Sequence, residues 1–314
     1  MKSGYFVGID TSNYTTSLAI IDSDGQLVAN LKRPLSVAEG ERGLRQSDAL
    51  FQHVKNLPSL MDEASDYLVS HSILAVGVSE KPRNVEGSYM PCFLAGVSAA
   101  HTLASPIGVP LYKFSHQCGH IAAAMYSAGV DLSAESFAAV HASGGTTELL
   151  RVNEVESGFC AELVGGTLDL NAGQVIDRVG VAMGLPFPSG RHIEALALEN
   201  EKKVPRRKPS VDGMSFNLSG AENIALSLFN ETGDKSLTAA FVLDYIGSAL
   251  VSSCKAYTEK YGASAFVFAG GVMCNSIIKE RIKKEIPRSF FAEPQMSSDN
   301  AVGVAALTRK CFMK

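Results

Sequence analysis

Tyr5-Phe6-Val7-Gly8-Ile9-Asp10-Thr11-Ser12-Asn13-Tyr14-Thr15-Thr16-Ser17-Leu18-Ala19-Ile20-Ile21 is the stretch whose reading decides the fold. Tyr5 to Ile9 is a short apolar run typical of a buried strand. It stops at an acid followed by a hydroxyl-rich turn. Ser17 to Ile21 predicts a returning strand, Asp24-Gly25 a hairpin turn, and Leu27-Val28-Ala29 a third strand. An acid at a strand end, Asp10, facing Thr11 and Ser12, is a common way to present a phosphate and its cation. A plain hairpin turn uses the same residue types, so the stretch alone leaves both readings open.

The arrangement returns further along. Phe137 to His141 predicts a strand, Ala142-Ser143-Gly144-Gly145-Thr146-Thr147 a glycine-rich turn, and Glu148 to Val152 the returning strand. This is a structural echo, not a sequence repeat. Two such hairpins facing each other could clasp an anionic nucleotide with backbone N–H groups and hydroxyls.

Around the two hairpins, strand-like and helical segments follow one another. Leu50, Val54, Leu57, Met61, Ala64 and Leu68 fall at helical spacing over 47–69, with Pro58 expected to kink or divide the helix. A strand follows at 74–78, a polar loop at 81–88, an apolar helix over 92–104 and a short strand at 109–112. In the second half, Gly165 to Gly173 precedes a helix over 174–183 that carries Asp177. Leu185 to Gly190 ends it and opens another helix at Arg191. Residues 214–220 predict a polar turn, and about 235–260 a long helix. Phe266 to Ala269 is a buried strand running straight into Gly270-Gly271-Val272-Met273-Cys274-Asn275. Strand, Gly-Gly, helix N-terminus lets an adenosine or phosphate approach the backbone, although a tight strand–helix turn looks the same. A last strand is expected at 289–291, with Asp299-Asn300 capping the final helix.

Composition sets the limits. The 314 residues suffice for two domains, and 46% hydrophobic with 19% charged residues reads as a soluble globular chain. A net charge of −4 supplies no global field toward nucleic acid, so an RNA contact needs a local patch. The one dense basic run is Lys202, Lys203, Arg206, Arg207 and Lys208, for which a solvated loop is the plainer reading. The six cysteines are scattered without a Cys-x-x-Cys pair, which predicts reduced thiols in a cytoplasm. The N-terminus shows no signal-peptide pattern, and no uncharged apolar run is long enough to span a membrane.

Ser115-His116-Gln117-Cys118-Gly119-His120 leads into Ile121-Ala122-Ala123-Ala124-Met125-Tyr126, a strong helix former. Histidines four apart stack on one helix face and could hold a metal from two corners, given a third ligand from elsewhere. Asp299 is a natural third ligand if its loop lies over the pair. An isolated His-x-x-x-His is more often a pair of ordinary helix residues.

Taken together and in order, these motifs resemble the tRNA threonylcarbamoyladenosine synthesis transferases, once described as O-sialoglycoprotein endopeptidases. The resemblance covers nearly the whole chain: Gly8 to Ser12, His116 to His120, Ser143 to Leu149, Asp169 to Asp177, Gly184 to Pro188, Ser215 to Gly220, Ala269 to Val272 with Asn275, and Ser298 to Ala301. It implies a duplicated actin-like, sugar-kinase-like, Hsp70-like (ASKHA) fold with a ligand cleft between two α/β domains. These are expected at 1–110, with 290–314 returning to the first, and at 111–289. By position, His116, His120 and Asp299 correspond to the family's iron or zinc ligands. His141, Ala142, Ser143, Gly144, Gly145, Asp177, Gly190 and Asn275 correspond to its site for threonylcarbamoyl-adenylate. Ser12, Gly270 and Gly271 are added as contacts for ATP or the adenylate, with the adenosine near the glycines and the phosphates near the turns. The implied chemistry is metal-assisted attack of a tRNA adenine amino group on the carbamoyl carbonyl, with AMP leaving and no covalent enzyme intermediate. A small paralogous partner subunit and tRNA are the implied partners.

The chain also departs from the family pattern. Cys118 stands where a Glu is usual between the histidines, and Thr146 where a His follows Ser-Gly-Gly. Tyr14 and Thr15 replace an acidic pair, Ala221-Glu222 fall near a usual Lys, and Lys81-Pro82-Arg83-Asn84 replaces a Gly-Pro-Gly loop. Asp10 and Cys118 are the catalytic candidates. The alternative is a divergent paralogue: a catalytically altered nucleotide-binding protein that works through partners or on another acceptor. A metalloprotease is disfavoured, because Gln117 occupies the place of the glutamate base.

Overall fold

The computed structural model describes residues 4–12, 14–37, 44–68, 72–132, 135–155, 158–262, 264–296 and 301–314. In chain order it begins with β1 (Tyr5–Asp10), β2 (Thr15–Asp22), β3 (Leu27–Pro34), α1 (Gln46–Leu68), β4 (Ile73–Lys81), α2 (Phe93–Ile107), β5 (Leu111–Ser115) and α3 (His116–Ser127). Then come β6 (Phe137–Ala142), β7 (Thr147–Val155), β8 (Gly158–Thr167), α4 (Ala172–Ala182), α5 (Gly190–Leu198), β9 (Ser210–Asp212), β10 (Ser215–Asn217), α6 (Ser219–Thr232) and α7 (Lys235–Tyr261). The chain ends with β11 (Phe266–Ala269), a 3₁₀ turn (Gly271–Cys274), α8 (Ser276–Glu285), β12 (Ser289–Phe291) and α9 (Val302–Met313).

The chain divides into two compact units: Met1–Asp131 with Asn153–Ala161 and Gln295–Lys314, and Leu132–Val152 with Glu162–Pro294. The first sheet runs β3-β2-β1-β4-β5. Its hairpin strands β1, β2 and β3 are antiparallel, while β4 and β5 join in parallel. β1 is buried along nearly its whole length, as a central strand covered on both faces must be. Leu57, Leu60 and Ala64 of α1 and Ala95, Ala100 and Ala104 of α2 close one face. On the other, Ala301, Val302 and Ala305 meet Ala19 and Ile21. Gly8 is required there, because a Cβ would lie 2.5 Å from the Ala305 backbone nitrogen. The unit boundary falls later than residue 110: β5 pairs with β4, and α3 packs on α9, so residues 111–131 group with the first unit.

The second sheet runs β12-β11-β6-β7-β8-β10-β9. Its stretch β8-β7-β6-β11-β12 repeats the order of the first sheet, with the hairpin antiparallel and β11 and β12 in parallel. The echo of the two hairpins is therefore a duplication of topology. Short strands β10 and β9 extend the second sheet where the sequence predicts only a polar turn. α7 is long and apolar enough by composition to cross a membrane. Its side chains are instead the heart of this unit's core, from Leu237 to Tyr257, and its Asp244 is bound by Arg281 of α8. Pro58 does not divide α1, which runs unbroken through it.

Candidate functional site

The expected site residues form one cluster in each unit. In the first, β1 delivers Asp10 to a fully buried position. Ser12 donates its hydroxyl to Asp10 Oδ2 at 2.5 Å, and Ser17 donates to the Asp10 main-chain carbonyl at 3.2 Å. Thr11 ties the turn to α2, donating to the Cys92 carbonyl and accepting from the Gly96 N–H. Asp10 Oδ1 lies 3.2 Å from His116 Nδ1. Burial opposes the charged carboxylate, but the charge of His116 and the hydrogen bonds from His116 and Ser12 outweigh it and hold Asp10 below its ordinary value.

His116 and His120 meet edge to face on the first turns of α3, with ring centroids 4.2 Å apart. Ser115 caps the helix by accepting from the Cys118 N–H. At about 100° per residue, Cys118 lies roughly 200° around the helix from His116. Its thiol is buried and donates to the Phe159 carbonyl at 2.9 Å. Burial pushes that thiol up. Cys118 therefore packs on the opposite side of α3 from His116.

Asp299 lies outside the described residues, and among the described residues no three His, Cys, Asp or Glu side chains gather round one point. The pair alone fits a metal in its chemistry. A carboxylate on Nδ1 sets the tautomer, and Nε2 of His116 would then be the atom available to a metal. Adjacent imidazoles suit iron or zinc.

In the second unit the turn after β6 is built from backbone. Ser143 N–H donates to the Thr146 carbonyl at 2.7 Å, and the Ser143 hydroxyl accepts from the Gly145 and Thr146 N–H groups. Gly144 and Gly145 are exposed, with open space where a Cβ would stand. The Ser143 carbonyl accepts from Gly173 N–H, and no Cβ fits at Gly173, 2.7 Å from Gly144. β11 brings Gly270 against Ala142: its φ is +97°, and a Cβ would fall 2.3 Å from the Ala142 carbonyl oxygen. Gly271 beside it is exposed and open. His141 pairs in register with Ala269. His141 to Gly145, Gly270 and Gly271 thus come together.

Asp177 on α4 accepts from the Ser189 N–H at 2.7 Å, which places Gly190 at the start of α5. Asn275 caps α8 through the Ile278 N–H, and Ser276 donates to Glu194. The α8 N-terminus begins after the 3₁₀ turn and is already capped, so access at Gly271 is to the turn rather than to a helix dipole. The α4 N-terminus is likewise met by the Thr147 hydroxyl. Residues that sequence reasoning missed are Ser17 and Ser115, which fix the first turn and α3, and Glu194. Ser115 alone had a signal, as a Ser preceding a helix.

The family model for tRNA N6-adenosine threonylcarbamoyltransferase matches residues 36–306. The tRNA N6-adenosine threonylcarbamoyltransferase of Streptococcus suis (strain 05ZYH33) is 30% identical over 325 residues, covering 98% of this chain and 92% of its own. That of Streptococcus pneumoniae (strain Taiwan19F-14) is 30% identical over 322 residues, with coverages of 97% and 91%. Among solved structures, full-length HypF in its phosphate- and nucleotide-bound form aligns with a TM-score of 0.61 at 11% identity, over 99% of this chain and 46% of that one. A ROK family glucokinase from Streptomyces griseus, in complex with glucose and AMPPNP, gives 0.53 at 12% identity over 97% and 98%. These two likenesses show the fold alone, the duplicated sugar-kinase and actin-like architecture already visible in the repeated sheet order. With most of its length matched by the family model and by relatives of nearly equal extent, the chain belongs to the tRNA N6-adenosine threonylcarbamoyltransferase family.

Proposed function

We propose that this chain transfers a threonylcarbamoyl group from threonylcarbamoyl-adenylate to the adenine amino group of a tRNA, in the cytoplasm and with a small paralogous partner subunit. The observation that carries the reading is the buried Asp10 oriented on His116, with His120 against it on one helix face. An iron or zinc ion held by His116 and His120, with Asp299 as third ligand, would supply Lewis-acid polarisation of the carbamoyl carbonyl. Asp10 holds the His116 ring in one orientation, and Ser12 holds Asp10. The exposed turn at Gly144-Gly145, with Gly271, offers backbone to the adenylate. For a phosphate to take the Gly145 and Thr146 N–H groups, the Ser143 hydroxyl must turn away from them. The amino nitrogen attacks the carbamoyl carbon, the new C–N bond forms, and the C–O bond to AMP breaks with its electron pair. The amino proton is lost to solvent or to AMP.

The test is reconstitution with threonine, bicarbonate, ATP, an adenylate-forming enzyme, the partner subunit and unmodified tRNA. Modified adenosine should form, more slowly than with a family member that keeps the usual Glu and His at positions 118 and 146. Absence of product under conditions where such a member works overturns the reading in favour of an altered nucleotide-binding paralogue. ATP binding without transfer would be its signature.

A further inference from the structure

The basic run singled out in the sequence has no part in either cluster. Residues 203–209 form neither helix nor strand. Val204 turns inward and packs against the core of the second unit, and Pro205 beside it is half-buried. Pro205 and Pro209 fix φ at two points and stiffen the segment. Lys203, Arg206, Arg207 and Lys208 are all exposed. Among the described residues, Lys202 is the one member of the run with an ion pair, to Asp234 at 2.6 Å. Arg207 borders a hollow with Asn223, Ser227 and Glu231, but Glu231 accepts from the Ser227 hydroxyl. Among the described residues none of the four outward cations has a carboxylate within ion-pairing distance. The result is a braced strip that turns its apolar residue partly into the core and presents four cations without an ion pair among the described residues, on a chain whose net charge is −4.

We infer that this strip is a phosphate-binding surface for the sugar–phosphate backbone of RNA, and that it docks the tRNA acceptor. The identity of the RNA rests on the proposed transferase function. Lysine is depleted from protein–protein interfaces, which rely on apolar and aromatic centres. Here the one aliphatic side chain of the strip faces inward, leaving charge and little else. Two adjacent arginines suit bidentate contact with phosphate oxygens. An extended segment can follow a backbone, and its contribution is sequence-independent and salt-sensitive.

The experiment measures binding of unmodified tRNA to the full chain by fluorescence anisotropy across a salt series. Wild type is compared with the fourfold variant Lys203→Ala, Arg206→Ala, Arg207→Ala, Lys208→Ala, and with the control Lys283→Ala, Lys284→Ala on the exposed side of α8. The fourfold variant should bind tRNA at least about tenfold more weakly at moderate salt. Its slope of log affinity against log salt should be shallower by about three, since each phosphate left without its cation removes about 0.7–0.9 from the slope. The control should match wild type, and ATP affinity should be the same in all three, showing the fold intact. An unchanged slope in the fourfold variant, an equal loss in the control, or wild type that binds an acidic polypeptide but not tRNA would each overturn the inference. Failure of the functional reading looks different: the wild type binds tRNA through the strip yet yields no modified adenosine in the reconstituted reaction.

Discussion

The turn after β1 and the turn after β6 hold the same place in two sheets of the same strand order, yet they are built in opposite ways. The first is organised by side chains around one buried charge: Asp10 with Ser12, Thr11 and His116. The second is organised by its backbone, with exposed glycines at its tip and a hydroxyl, Ser143, folded back on its own N–H groups. A duplicated scaffold has kept its strand order while dividing the work. One copy fixes an imidazole, and the other leaves main chain exposed. Side-chain sites fail when a partner is removed. Backbone sites fail when something is added.

The largest break should therefore come from truncating the imidazoles. His116→Ala and His120→Ala should each lose stoichiometric iron or zinc by elemental analysis, and transfer activity with it. Full metal content in both variants would remove the first turn from the chemistry. Asp10→Asn keeps the shape but not the charge facing His116. Loss of such an orienting partner typically costs about 10–100-fold in metal affinity or activity. Titration of the chain with zinc, against a competing chelator, reads this directly.

The second turn is broken by addition. Gly270→Ala forces a Cβ into the Ala142 carbonyl at a positive φ, and should destabilise the fold by about 2 kcal/mol or more in chemical denaturation. Gly271→Val enters open space, so stability should stay within about 1 kcal/mol while ATP binding by calorimetry weakens. Adjacent glycines would thus differ: Gly270 is required by the protein's own packing, and Gly271 would be required only by a ligand. Unchanged ATP affinity in Gly271→Val would move the adenosine site elsewhere.

Much of this was legible from sequence. Short apolar runs marked the strands around both turns, and helical spacing of apolar residues marked α1. What was not legible depends on partners distant in the chain. The grouping of residues 111–131 with the first unit follows from the pairing of β5 with β4 and the packing of α3 on α9. Strands β9 and β10 hold three residues each, too few to show a period. The orientation of Cys118 was open to inspection, since helical geometry puts positions 116 and 118 on nearly opposite sides. The family's usual glutamate at that position drew attention to its chemistry instead of its direction.

The smallest expected effect sharpens the contrast between the two units through a second aspartate. Asp169 is exposed and stands in the loop between β8 and α4, close in sequence to the glycines of the second turn. It accepts from the Leu218 N–H at 2.8 Å and the Ser219 N–H at 3.1 Å, supplying the cap that Leu218 cannot give α6. Slight burial works against its charge, but the Ser219 hydroxyl and the backbone N–H groups of Leu218, Leu170 and Ser219 prevail and lower it to about 2. The folded value is depressed below the unfolded one near 3.9. The stabilisation is therefore fully present above about pH 4 and is lost as the pH falls through about 2. Asp169→Ala should cost about 1 kcal/mol at neutral pH, as for a lost helix cap. The difference from wild type should shrink across that acid window. Denaturation curves of both proteins at pH 7, 4 and 2.5 test this. A difference that stays constant with pH would mean that Asp169 acts by packing rather than by charge, and so not in the way the first unit uses Asp10.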